Sequence, residues 1–492
     1  MEYAQFEELA VEYNRIPVYI KVTADLLTPV LAYLKLRERH GHCFLLESVE
    51  GIGRLARYSF IGVNPGKVFT NKGSEISILE KGQQTSRKMN LFDYLKEMMA
   101  SVRAAKVEEL PDFTGGIVGY LGYENIALVE DVIQFRDKNH FGTPDAVFGL
   151  YDTVIAFDHY KHQIILITNV SLDESSDRAK IFREAKEALH ERWIQLLEPV
   201  EFRSDFEFRP EEVNNGEIDR FLNSVRAGKK NIEEGDIFQI VLSRRFQAAY
   251  SGDLLNVYRA LRIINPSPYM YFMELGGDFT IIGTSPEDLL NVKNRKATIL
   301  PIAGTRKRGQ TAEEDRQLEE DLRNDPKEVA EHVMLVDLAR NDLGRISQFN
   351  TVRVVENMTV HRFSHVMHLV SRVEGILSES KDCVDALMAA FPAGTLTGAP
   401  KIRAIQLIES YEKIRRNVYG GAIGYIDFNG NLDMCIAIRT LFAKGNTIYW
   451  QAGAGIVADS DPHLELKEIE NKSAVLLSAL KYAEVIDEDI GH

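Results

Sequence analysis

Apolar and polar positions change period repeatedly along this chain, which divides it into short strands and longer helices. Residues 17–22 are apolar and β-branched, 26–39 carry apolar side chains at helical spacing, and 43–46 form a short strand, after which the chain turns often. Gly115, Gly116, Gly119 and Gly122 punctuate the aromatic segment 113–123. Residues 147–157 and 163–170 read as successive strands before a charged helix over about 172–197. Further on, the pattern predicts helices at 218–233, 254–265, 382–390, 399–407 and 464–482, with strands at 236–246, 269–274, 280–283, 421–427, 434–443 and 447–454. A long helix begins at Asp325-Pro326, where Asp325 caps, Pro326 suits the first turn and Glu328 completes a capping pattern. Mixed strands and helices predict an α/β (α+β) architecture.

A length of 492 residues exceeds what one core usually serves. The polar, acidic, Asn-rich stretch 198–216 is the best boundary, dividing the chain into 1–205 and 206–492. No repeat at a fixed period of 20–50 residues is present. The net charge of -15 repels polyanions, so nucleic acid and anionic membrane are not expected as partners, and an anionic small substrate needs a local basic pocket. Cys43, Cys383 and Cys435 are scattered without CxxC spacing, which argues against a disulfide framework or a zinc knuckle. With no signal, transit or membrane-spanning pattern, a cytoplasmic location is expected.

Candidate chemistry concentrates in the second half. Glu328 and Glu331 are three apart on one predicted helix, and Glu465 and Glu468 repeat that spacing on the last, so each pair presents two carboxylates from one face. Magnesium prefers such hard ligands. Helical glutamates are usually solvated surface, but Glu331 precedes the apolar run 333–338, and Glu465 and Glu468 follow the Gly-rich 451–456, where a ligand can approach backbone. The runs Pro301-Ile302-Ala303-Gly304-Thr305-Arg306, 394–401 (GTLTGAPK) and Gly453-Ala454-Gly455 can offer backbone N–H groups to an anion. Residues 51–56 (GIGRLA) have the form GxGxxA but lack the helix and acid of a dinucleotide fold, so they read as a turn. His361, His365 and His368 have zinc-like helical spacing, yet no HExxH accompanies them and the flanking alternation is that of extended chain. Tyr419, Arg439 and Lys401 are suited to carboxylates. Together these features place a magnesium and carboxylate site within residues 235–475 without naming its substrate.

Residues 325–345 (DPKEVAEHVMLVDLARNDLGR), 363–373 (FSHVMHLVSRV), 394–403 (GTLTGAPKIR) and 453–470 resemble the chorismate-utilising enzymes, in the right order and across nearly all of 218–480. The resemblance implies two stacked β-sheets flanked by helices, with chorismate and one magnesium ion held between them. It implies Glu331 and Glu468 as metal ligands, supported by Glu328 and Glu465. Tyr419, Arg439 and the backbone of Gly453, Ala454 and Gly455 would hold the enolpyruvyl carboxylate. Gly304, Thr305, Thr395 and His368 would face the ring, and Glu287 would protonate the departing C4 hydroxyl.

Members of the family diverge at two positions. Gln239 stands where water-activating members carry lysine, and Ala303 stands where many aminodeoxychorismate-forming members carry a lysine that attacks C2. The expectation is direct amination at C2 and loss of pyruvate to give anthranilate, the first step toward tryptophan. An aminodeoxychorismate-forming enzyme of folate synthesis is the alternative, and a catalytically silent scaffold is disfavoured because every ligand position is present. In 1–205, 45–48 (LLES) and 57–60 (RYSF), with 265–270 (NPSPYM), resemble the tryptophan-binding elements of feedback-regulated members, implicating Ser48, Pro268, Tyr269 and Met270. No glutaminase motif is visible, so ammonia is expected from a separate glutamine amidotransferase subunit in a heterotetramer of two plus two.

Overall fold

The fold is taken from a computed structural model that describes residues 1–37, 41–48, 57–136, 138, 141–200, 202, 205–211, 215–362 and 366–488. The turn proposed for residues 51–56 and His365 lie outside these. Among the described residues the strands form two twelve-stranded sheets with antiparallel pairings. A cluster containing Phe44, Tyr271 and Phe442 of the first sheet and Val118, Tyr120 and Val147 of the second lies between them. Alternate residues of each strand point the other way and meet helices. Met270 and Phe272 pack with Tyr258 and Leu480 on the outer face of the first sheet, while Ile117 and Met434 pack with Val336 and Leu387 on the outer face of the second. Two stacked sheets flanked by helices are therefore observed, as the resemblance implies. Among the described residues no helix is long and apolar enough to cross a membrane.

Both halves of the sequence build both sheets: His42–Glu47 pairs with Tyr269–Leu275 in the first, and Gly116–Leu121 pairs with Ala422–Asp427 in the second. The polar stretch at the predicted boundary contains the edge strand Phe206–Pro210, which pairs with Gln239–Gly252. The turn-rich stretch after residue 46 contains the strand Tyr58–Val63 of the first sheet and the strands Lys67–Lys72, Glu75–Glu80 and Gln83–Lys88 of the second, which pair in succession and whose last member is exposed throughout. The predicted strand 434–443 is two strands: Leu432–Ile436 belongs to the second sheet and Thr440–Lys444 to the first. The chain crosses between the sheets at residues 437–439, and it crosses again between Phe279–Ser285 and Asp288–Lys293.

The helix Pro326–Gly344 starts as its sequence dictates. The Asp325 side chain accepts from the N–H groups of Lys327 (3.0 Å) and Glu328 (3.3 Å), and Pro326 occupies the first position. Glu328 does not reach back to complete a capping box; its carboxylate accepts instead from Arg306 at 3.2 Å. The helix Pro462–Glu484 repeats the start, with Asp461 accepting from His463 (2.9 Å) and Leu464 (3.0 Å). Each helix carries glutamates in its first two turns, where the positive end of the helix dipole favours anions.

Candidate active site

The crossings at 437–439 and between Ser285 and Asp288 bring Glu287 and Arg439 into one region, tied by Ile436 N–H donating to Glu287 O (3.1 Å) and Thr284 N–H donating to Arg439 O (3.2 Å). Arg439 adopts φ 48°, a left-handed conformation that costs a non-glycine residue roughly 1 kcal/mol or more. Arg439 is an exposed residue, yet desolvation lowers the pKa of its guanidinium and Glu287 acts against that, as expected of a side chain lining a cavity. The Glu287 carboxyl is pushed up to about 7 by burial, against the opposing pull of the Thr395 hydroxyl, Lys472 and Arg439. A group so placed can exchange a proton near neutral pH.

The strand Gln239–Gly252 lies beside Thr447–Ile456 in a register that sets Val241 against Gly455, Leu242 against Ala454 and Ser243 against Gly453. The short strand Gly398–Ala399 covers its other edge at Gln239 and Ile240. Glycine is needed in the facing run because side chains press on it. A Cβ at Gly455 would stand 2.6 Å from Gln239 Nε2, and one at Gly453 would stand 2.5 Å from the Tyr419 hydroxyl. Gln239, Tyr419, Gly453, Ala454 and Gly455 thus form one wall.

A second wall is the antiparallel pair of Ile302–Lys307 with Val366–Ile376, where a bulge between Ala303 and Thr305 sets Gly304 at φ 65°. His368 Nδ1 lies 2.9 Å from Gly304 O and 3.1 Å from the Thr305 hydroxyl. Burial lowers the His368 pKa against the opposing bond to Gly304 O, with Arg439 adding to the lowering, which favours the neutral ring. His361 faces His368 across the neighbouring strand pair and bonds Glu356 at 2.5 Å, an arrangement of extended chain and not of a zinc helix. Lys401 meets a carboxylate of the protein itself: its ammonium lies 3.0 Å and 3.2 Å from the Asp342 carboxylate and 3.2 Å from Ala390 O.

The starts of the two capped helices approach each other. The Glu331 pKa is raised by burial first, then by Glu328, with Glu468 adding to the effect, and Glu465 is raised by burial and by Glu468. Among the described residues no group of three or more His, Cys, Asp or Glu side chains could by itself hold a metal ion. The donor set nonetheless fits a hard divalent cation that takes one or two carboxylates and completes its shell with water and ligand oxygens. In this arrangement side-chain cations offset the carboxylates: Lys472 pairs with Glu468 at 2.7 Å and Arg306 with Glu328. Lys472 also donates to Gly453 O at 3.0 Å, which joins the carboxylates to the glycine wall. Sequence reading missed Lys472, although its position four residues after Glu468 on one helix face was a usable signal.

Residues 41–478 match the chorismate binding enzyme family. The chain belongs to that family. The chain is 45% identical to anthranilate synthase component 1 of Acetivibrio thermocellus over 96% of its own length and 97% of the relative's. It is 42% identical to anthranilate synthase component 1 of Aquifex aeolicus over 99% and 98%. The crystal structure of anthranilate synthase component I from Streptococcus pneumoniae TIGR4 superposes with a TM-score of 0.75 at 39% identity, covering 92% of this chain and 98% of that one. This member of the chorismate binding family is accordingly a chorismate-converting enzyme.

The remaining predicted residues gather elsewhere. Glu47 pairs with Met270 between neighbouring strands, so Ser48, the next residue, arrives beside Tyr269 although more than two hundred positions separate them. The Ser48 hydroxyl is buried and meets no hydrogen-bond partner among the described residues. Tyr269 faces the space between the sheets and donates to Asp433 at 2.9 Å, while Met270 packs outward against the helices. Strand alternation therefore turns the side chains of Tyr269 and Met270 to opposite faces of the sheet.

Proposed function

We propose that the chain aminates chorismate at C2 with ammonia and eliminates pyruvate to give anthranilate, opening tryptophan synthesis. The observation that carries this reading is Gln239 against the glycine wall, because a carboxamide cannot activate water as a lysine does. Ala303, at the bulge beside Gly304, offers no amine for attack on the ring. Full-length relatives named anthranilate synthase component 1 support the same reading over the aminodeoxychorismate alternative.

Tyr419, Arg439 and the backbone at Gly453, Ala454 and Gly455 hold the enolpyruvyl carboxylate. Gly304, Thr305, Thr395 and neutral His368 bound the ring. The nitrogen lone pair bonds to C2 as the ring double bonds shift and the C4–O bond breaks; Glu287 donates the proton that turns the departing hydroxyl into water. In the second step the proton on C2 is lost as the bond from the ring to the enolpyruvyl oxygen breaks, the enolpyruvyl methylene takes up a proton so that the group leaves as pyruvate, and the ring becomes aromatic. Glu331 and Glu468, supported by Glu328 and Glu465, would hold magnesium. When bound, that ion supplies positive charge to the ring carboxylate.

The names of the relatives, component 1, imply a partner component, and ammonia from a separate glutamine amidotransferase in a two-plus-two assembly is part of this proposal. The chain's own thiols support it: Cys43, Cys383 and Cys435 are buried and burial raises the pKa of each, Cys383 to about 12, so none is a ready thiolate for glutamine hydrolysis. Feedback by tryptophan at Ser48, Pro268 and the backbone of Tyr269 and Met270 is also proposed. The unpartnered Ser48 hydroxyl supports it, as does the pairing of Tyr269 with Ser285, two residues before Glu287. A cytoplasmic location completes the proposal.

Incubation of the isolated chain with chorismate, magnesium and ammonium, followed by mass analysis of the product, tests the reading. Anthranilate is expected; 4-amino-4-deoxychorismate would overturn it.

A further inference from the structure

The walls of the cavity come from segments far apart in sequence, and one side chain that meets none of the reacting atoms ties them together. Arg416 is almost wholly buried, with its side chain 2% exposed. Its Nε and Nη2 donate to the two oxygens of Glu412 at 2.9 and 2.7 Å. Nη1 donates to Leu396 O at 2.6 Å, and Nη2 also donates to Val241 O at 2.8 Å. The guanidinium lies over the rings of Tyr123 (4.8 Å) and Tyr419 (5.6 Å).

Each partner is next to a residue of the cavity. Leu396 follows Thr395. Val241 is two residues from Gln239 on the same strand and pairs with Gly455. Glu412 Oε1 accepts from both the N–H (2.9 Å) and the hydroxyl (2.7 Å) of Ser243, the residue opposite Gly453. Tyr419 stands under the same guanidinium with its hydroxyl against Gly453. From the other side, buried Glu124 accepts from the Arg416 N–H at 2.8 Å and the Asn417 N–H at 3.1 Å, which fixes the backbone that carries the arginine.

We infer that Arg416 is the positioning residue of the substrate cavity, setting Tyr419, Thr395, Gln239 and the glycine wall at one spacing by bonding their supports simultaneously. The fork geometry is what makes this possible. A guanidinium offers five N–H groups in a fixed plane, enough for a bidentate carboxylate and two carbonyls at once, whereas an ammonium offers three donors from one point. The inference rests on the chorismate reading, because it assigns these walls to a substrate carboxylate.

Replacing Arg416 alone would strand the Glu412 carboxylate in the interior, so the test removes both charges. In Arg416→Met combined with Glu412→Leu, thermal unfolding reports the fold and steady-state kinetics with ammonium report function. The expected result is a folded protein whose KM for chorismate rises at least tenfold. A merely structural role would lower the active fraction, and with it kcat, and leave KM alone. A folded double variant with KM within twofold of the wild type overturns the inference. If the double variant does not fold, Arg416→Lys decides: a lysine keeps the charge but not the fork, so the same tenfold rise is expected and an unchanged KM overturns the inference. A wild-type chain that left chorismate unconsumed would instead sink the functional reading, independently of either variant.

Discussion

Glu287→Gln separates stability from catalysis at a single carboxyl. Burial raises this group from an ordinary 4.5 to about 7, which corresponds to roughly 3 kcal/mol against its ionised form in the folded chain. Because the folded-state value is the higher one, the folded protein binds this proton more tightly than the unfolded chain does. The penalty is therefore absent below about pH 4.5, grows between 4.5 and 7, and is complete above 7. Glutamine is neutral throughout, so the variant should match the wild type in stability at pH 4.5 and exceed it by about 3 kcal/mol at pH 8. Urea unfolding of both proteins, without ligands and across that range, reads the difference directly. Turnover should move the other way, falling about a hundredfold or more at saturating chorismate with little change in chorismate affinity, because only the proton donor is lost. A stability difference that stays flat from pH 4.5 to 8 would refute the argument from burial. Unchanged turnover with lost binding would make Glu287 a binding residue.

Glu331→Gln and Glu468→Gln should each nearly abolish turnover at limiting magnesium while leaving the far-UV circular dichroism unchanged, and retained activity would refute their role as ligands. The isolated chain should form product from ammonium more readily at raised pH, where free ammonia is more abundant, and none from glutamine; glutamine-dependent product would reveal a missed glutaminase site. Ser48→Phe should relieve inhibition by tryptophan without altering uninhibited turnover, and equal inhibition of the two proteins would place any regulatory pocket elsewhere. By linkage, tryptophan should weaken chorismate binding by the same factor by which chorismate weakens tryptophan binding, measurable by titration calorimetry.

Local chemistry made much of this chain readable before its fold was known. Asp325-Pro326 announces a helix because a carboxylate cap and a missing N–H both suit a first turn, and the glutamates that follow inherit a common face from the helical period. Resemblance then supplied roles for residues whose types alone allow many. What remained hidden depends on contacts between distant segments. Residues 434–443 read as one strand because apolar alternation does not reveal that a chain leaves one sheet for another, and Arg439 lies in that break with a backbone no propensity favours. Tyr269 and Met270 are neighbours in one motif, and only the pairing of Met270 with Glu47 shows that Met270 is the one turned to the helices. Lys401 and Lys472 are both lysines near family motifs, and only the packed structure assigns one to Asp342 and the other to Glu468 and Gly453. The sequence by itself determined the capped helices, the strand periods and the inventory of carboxylates, because those follow from neighbours within a few residues. Only the tertiary structure decided which carboxylates face each other, how far burial lifts Glu287, and that Arg416 binds the walls together, because desolvation and hydrogen bonding depend on atoms brought together by the closed fold.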